Sequence, residues 1–512
     1  MQKAEDNNKR IAKNTAILYI RMFVILIVSL YTSRIILWSL GVSDFSIYSV
    51  IGGIVLIFTS LNGSFSGATM RFIAYESKVS DYVKIQRVFA AVLTIHIVIA
   101  GVILLLAETI GLWFMSEKLV IPPDRMHVAV YVYHISVITC LTGIIQIPYS
   151  ATIIANEKMH TLAFISIYEA VIKLLIAYLI SMNPFDRLVF YSTSLFIAQL
   201  SVTFIYCIYC RMKFGYCRFH ISKDFGIIKP ILSFSMWDIF GTVSTTASSQ
   251  GISFALNMFY GSTINAAAGI ANQINIHISG FANNFLYAVK PQVVKYYARE
   301  NISEMQRLAT NAGKFAYFLL FLFGFPLIVE CDYVVRIWLI DVPEYLVAFS
   351  QLSIIYNLIA VMYRPCIQCI HAVGKVRLMS FVTGALFYLT IPLAYIILKY
   401  GGTPKSPYMM NLIFISVISL TYLIILHHYV HDFSIRHYFL HVTGICILVS
   451  LLSMPLPIVI HYSLPQGVLR LCLVSISSVV SLLLCIYYFA LPKSIKNEAI
   501  HKIRCVFCKI IS

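Results

Sequence analysis

Charge is what this chain has least of. Of its 512 residues only 12% are Asp, Glu, Lys or Arg, about half the share of an ordinary soluble domain, while 60% are hydrophobic. No water-soluble fold could bury that much apolar surface, and the same composition excludes disorder. Acids are scarcer than bases, 21 against 38. No sustained period-two alternation marks an apolar stretch, which argues against a membrane β-barrel. Walker A, HExxH and G-x-S-x-G patterns are absent, so the usual signatures of ATP hydrolysis, zinc proteolysis and serine hydrolysis are missing. The twelve cysteines form no disulfide framework. Cys207/Cys210 and Cys366/Cys369 read as small core residues on apolar helices. Cys505/Cys508 with His501 fall one ligand short of a structural zinc site, so no metal is expected.

What is present is apolar length. With mean hydropathy at +0.84, fourteen stretches approach the roughly 20 residues a spanning helix needs. They lie near 14–40, 46–75, 88–115, 127–155, 159–181, 188–210, 230–256, 262–289, 315–338, 345–370, 378–398, 407–427, 441–461 and 467–491. Pro122-Pro123, Asn183-Pro184 and Gly401-Gly402 punctuate them. With the N-terminus inside, the cytoplasmic segments hold 26 of the 38 bases and a net charge of +16, against −2 outside and +3 in the spans. The positive-inside rule thus puts both termini in the cytoplasm, and the basicity is a topology signal with no bearing on nucleic acid. The first span is expected to serve as an uncleaved insertion signal. The outer loops are short and leave no room for an external domain.

A weak repeat at an offset of 220 residues pairs Gly41, after span one, with Gly261, after span seven. It predicts two six-helix lobes, 1–210 and 230–430, joined by a basic linker at 211–229. Two extra helices at 431–491 and a basic tail at 492–512 follow. The expected fold is an all-α integral membrane protein.

Six bases fall inside the expected spans: Arg21, Arg34, Arg71, Lys173, Arg364 and Arg470. A charge at membrane depth faces a wet cavity, meets a partner or snorkels to the interface. Arg470, near the start of its span, reads as snorkelling or structurally paired. Arg21 and Arg34 sit about 220° apart on an ideal helix, so both can face one cavity only if the helix bends. Glu169 lies one turn before Lys173, in the favourable order for an intrahelical pair. The alternative is a lysine released to an anionic substrate while Glu169 takes a proton. Asp238 in span seven is the second candidate for ion or proton coupling.

Spans two, seven and eight are unusually polar. Asn62 belongs to the Ser/Thr/Gly-rich centre of span two, and Gln250 ends a Ser/Thr run in span seven. On span eight, Asn265, Asn272, Asn275, Ser279 and Asn283 fall within about 80° of one another. Such a face is either hydrogen-bond glue between helices or the wall of a cavity for a polar ligand such as a sugar.

The run from Ser33-Arg34-Ile35 through Trp38-Ser39-Leu40-Gly41-Val42-Ser43-Asp44-Phe45, followed by Gly67-Ala68-Thr69-Met70-Arg71-Phe72, resembles the opening of bacterial polysaccharide flippases. These are the Wzx-type O-antigen and capsule translocases of the multidrug/oligosaccharidyl-lipid/polysaccharide (MOP) superfamily. The motif covers roughly residues 10–80. The resemblance implies a MATE-like architecture: two lobes around a central cavity, alternating access, and residence in the bacterial inner membrane. It implies an undecaprenyl-diphosphate-linked oligosaccharide as cargo, moved from the inner to the outer leaflet. Membrane lipids, a polysaccharide polymerase and chain-length machinery would be neighbours. Arg34 and Arg71 match the basic positions of the motif. Related peptidoglycan-precursor flippases also carry an arginine in span eight, whereas here span eight has no base before Lys290.

Together, these readings assign Arg21, Arg34, Arg71 and Lys173 to the diphosphate. Asn62, Gln250, Asn272, Asn275, Ser279 and Asn283 form the glycan-facing surface. Glu169 and Asp238 are the coupling acids. No cofactor is expected, and a proton or sodium gradient is the candidate driving force. The first alternative is a MATE-type ion-coupled exporter of organic cations, which would want acids in its cavity. The second is a membrane-embedded glycan ligase or polymerase, which would want a large external loop.

Overall fold

A computed structural model describes residues 2–59, 69, 73, 82–156, 158–182, 186–222, 224–339 and 341–490. Every regular element among them is helical. In chain order they are α1 (Gln2–Thr59), α2 (Tyr82–Lys118, with a π-helical turn at Ala107–Gly111), α3 (Met126–Ala155), α4 (Met159–Met182) and α5 (Arg187–Lys213). There follow α6 (Phe225–Ala298), α7 (Ile302–Val329), α8 (Cys331–Trp338), α9 (Leu346–Val373) and α10 (Val376–Lys399). The last three are α11 (Ser406–Tyr429), α12 (Ile435–Ser463) and α13 (Val468–Ala490). Eleven helices among the described residues are long and apolar enough to cross a bilayer, which makes this a multi-pass membrane protein. The other three expected spans are accounted for separately. Span two begins within α1 and continues beyond the described residues, and spans seven and eight share α6, whose polar faces lower its hydropathy.

α1 and α6 each bend at one glycine. Gly41 (φ 75°, ψ 170°) and Gly261 (φ 76°, ψ −166°) adopt the same conformation, one open almost exclusively to glycine. These are the two residues paired by the 220-residue repeat. Beyond the bends the two helices meet: a Cβ on Gly269 would lie 2.2 Å from the Ser49 hydroxyl, and Asn265 reaches Ser46 at 3.5 Å. Ser49 and Gly269 are themselves 220 residues apart, and equivalent positions of a repeat touch only beside the axis that relates them.

Capping sets several boundaries. The Asp186 side chain accepts from the amides of Leu188 and Val189 at the start of α5, and Asn301 accepts from Glu304 at the start of α7. The latter cap starts α7 thirteen residues before the expected span nine. Lys314, which the expected spans leave in the cytoplasmic segment between spans eight and nine, is therefore buried inside a helix, only 6% exposed.

The chain divides into two compact units. One contains residues 1–270, 338–346 and 380–407, and the other contains 271–337, 347–379 and 408–512. In the first, small residues let α6 and α10 approach closely: Gly241 faces Ser380, Gly384 faces Phe240, Gly251 faces Ile391, and the Ser248 and Thr390 hydroxyls bond at 2.6 Å. In the second, α13 packs on α12 and α7.

Candidate functional site

The polar stripe of α6 is where the second unit concentrates its hydrogen bonding. Asn275 accepts from the amide of Asn357 on α9, and Asn283 accepts from Nη1 of Arg364, two turns further along α9. Arg364 Nη2 donates to Asn357 Oδ1 at 3.3 Å, and Asn357, 4% exposed, also donates to the Ser353 carbonyl at 3.2 Å. Gln368 continues the row by donating to the Leu286 carbonyl at 3.0 Å. The spacing explains the layout: residues 357, 364 and 368 of α9 share one face, as do 275, 283 and 286 of α6. The result is a continuous chain of side-chain amides with one guanidinium set into it.

The other expected members of the α6 face are placed as follows. Ser279 donates to the Ile276 carbonyl at 3.1 Å, and Asn272 is half-buried. In the first unit, Asn265 accepts from Ser253 at 2.8 Å. Gln250, 7% exposed, has its amide oxygen against Gly53 of α1, where an added Cβ would lie 2.6 Å away. Arg34 is half-buried on α1. Lys173 and Glu169 pair at 2.5 Å along α4, on a face where the lysine is 48% exposed. Arg71 and Asn62, the side chains of Arg21 and Asp238, and the tail with His501, Cys505 and Cys508 lie outside the described residues.

Three polar clusters were not singled out from sequence. Gln146 of α3 accepts from Gln199 at 2.8 Å and from Thr203 at 3.1 Å, both on α5. Arg125 holds Asp44 through Nε (3.0 Å) and Nη2 (2.6 Å), and Asp186 through Nη1 (2.5 Å). Burial alone would raise the Asp186 pKa, but the bonds from Arg125 and the two α5 amides outweigh it and hold the carboxyl below its ordinary value. Third, Glu330 is wholly buried between His461 and Arg470. Arg470 is thus the paired base that sequence allowed. Partners 53 to 140 residues apart leave no local signal. The amphipathic α6 face did give one, and it led to Arg364 and Asn357 only once α9 was seen beside it.

No family model matches the chain, and no curated protein is significantly similar to it in sequence. Solved structures share its fold. MurJ, a lipid II flippase in an inward closed conformation, superposes with a TM-score of 0.68 at 13% identity, covering 93% of this chain and 98% of that one. An inward-facing multidrug-resistance MATE transporter of the MOP superfamily gives 0.63 at 12% identity, over 81% and 99%. The MATE multidrug transporter DinF-BH gives 0.62 at 16%, over 82% and 96%. The fold is therefore of the MOP type, and these neighbours are transporters rather than enzymes.

Proposed function

We propose that this protein is a flippase that carries an undecaprenyl-diphosphate-linked oligosaccharide, an O-antigen or capsule unit, from the inner to the outer leaflet of the bacterial cytoplasmic membrane by alternating access. The observation that carries the reading is the guanidinium–amide chain Asn283–Arg364–Asn357–Asn275, part-buried between α6 and α9. A diphosphate needs delocalised cations with several donors, and sugars need neutral groups that both donate and accept. The expected spans supply both, with bases outnumbering acids.

In this reading Arg21, Arg34, Arg71 and Lys173 take the diphosphate, and Arg364 joins them. Asn62, Gln250, Asn272, Asn275, Ser279 and Asn283 face the glycan. Lys173 would leave Glu169 to reach a phosphate, and Glu169 would then accept a proton, with Asp238 as the second coupling acid for a proton or sodium gradient. No resident cofactor is required. The fold likeness to MATE exporters favours a second reading, export of organic cations. Against it, Glu108, Glu169 and Glu330 each sit beside a basic or imidazole partner, so these carboxylates are not vacant for a cation.

Arg34→Ala, Arg71→Ala, Lys173→Ala and Arg364→Gln proteins, matched for insertion, test the reading in glycan-exporting cells. Surface glycan should fall at least tenfold in each. Full export in all four would overturn it.

A further inference from the structure

Where α7 ends, the chain turns through Glu330 into α8, and the starts of α9 and α13 and the end of α12 close around a cavity of about 300 Å³. That volume is at the small end of ligand sites. Its chemistry can be read from its hydrogen bonds. Glu330 Oε1 accepts from His461 Nδ1 at 2.7 Å, and Oε2 accepts from Arg470 Nη2 at 2.8 Å. Both Asp332 oxygens accept from Arg336 Nε at 3.0 Å, and one also accepts from Gln466 at 3.2 Å. Every carboxylate oxygen in the wall thus has a donor, and Arg470 and Arg336 already offset the two carboxylate charges, which weakens the wall's hold on a cation. An anion would have to lie against two carboxylates, which disfavours it as well.

The unfilled valences are few. Arg470 Nε is buried and meets no acceptor in the protein, a costly state that an oxygen inside the cavity would relieve. His461 uses Nδ1–H on Glu330, so in its neutral form Nε2 is an acceptor. Gln351 spends its NH2 on the Ile328 carbonyl at 2.9 Å, which leaves its amide oxygen to accept. Tyr333 and the valines at 329 and 347 add an aromatic and apolar wall. A donor, two acceptors and an apolar face, with no spare charge, describe a ring bearing hydroxyl groups.

We propose that this cavity is a binding site for a single pyranose ring, free or at the end of a glycan. It lies on the side that the charge distribution places outside. The inference stands on the cavity's own chemistry and does not depend on the cargo assigned above.

Saturation-transfer NMR on the purified full-length protein tests it. Methyl glucoside, methyl galactoside and methyl N-acetylglucosaminide probe free rings, maltotriose probes a ring at a chain end, and mannitol and glycerol serve as acyclic controls. At least one ring compound should show transfer that the acyclic polyols lack. Val347→Phe, which fills the cavity, and Gln466→Leu, which alters its rim, should each reduce that transfer at least fivefold with the thermal midpoint retained. Should Val347→Phe fail to fold, Gln466→Leu, at a surface loop, carries the test alone. Absence of transfer from every ring compound, equal transfer from the acyclic polyols, or transfer unchanged in a folded variant would overturn the proposal. Binding without lipid translocation would instead count against the flippase reading alone.

Discussion

Removing the Arg470 guanidinium would leave the Glu330 carboxylate buried, with only an imidazole beside it. Breaking a buried ion pair from one side costs about 3–5 kcal/mol, whereas replacing both charges by neutral groups is often close to neutral. Arg470→Gln should therefore lower the thermal midpoint in detergent markedly, and the Glu330→Gln/Arg470→Gln double variant should recover most of the loss. A double variant as unstable as the single one would show that the pair contributes little. Asp186 makes a pH-dependent prediction at the same scale. Its carboxyl titrates below the ordinary 3.8 in the folded protein, so its stabilisation is complete above that value and is lost as the pH falls through the lowered one. The difference in midpoint between wild type and Asp186→Asn should be present at pH 7 and shrink towards pH 3. Because the side chain is 30% exposed, the effect at pH 7 should stay within about 1 kcal/mol.

The helices bend where the backbone leaves no choice of residue. At Gly41 and Gly261 any side chain meets the strained positive-φ region, so Gly261→Ala should cost about 1–3 kcal/mol. Gly52, in ordinary helix with open space around it, supplies the control: Gly52→Ala should be neutral or stabilising by about 0.5–1 kcal/mol. Gly269→Ala should destabilise through the Ser49 contact, with Ser49→Gly restoring part of the loss in a double-mutant cycle. Much at this scale is legible from sequence. Apolar length located the spans, the offset between Gly41 and Gly261 showed the repeat, and the periodicity of α6 picked out its polar face. The start of α7 was missed because its first turns are amphipathic and polar. A hydropathy reading assigns such residues to a loop, while the Asn301 cap begins a helix there.

For the whole molecule, the balance between local and distant information decides what sequence can convey. Span count is a sum over neighbours in the chain, and it sufficed for an all-helical membrane fold, whereas the MOP-type architecture came as what the resemblance of residues 10–80 implied. Pairings such as Arg364 with Asn283, or Glu330 with Arg470, join residues about 80 and 140 positions apart and have no periodic trace. Composition could say only that bases in the spans needed company. That company includes amides for Arg364 and a carboxylate for Arg470.

The central claim is that a lipid-linked diphosphate glycan crosses the bilayer through this protein. Proteoliposomes containing the full-length chain, loaded in one leaflet with a fluorescent undecaprenyl-diphosphate oligosaccharide, measure this directly through a membrane-impermeant quencher. The account predicts transfer between leaflets at least tenfold faster than in protein-free vesicles, slowed by Arg364→Gln and insensitive to excess organic cation. Transfer no faster than in empty vesicles, alongside uptake of an organic cation by the same preparation, would contradict it.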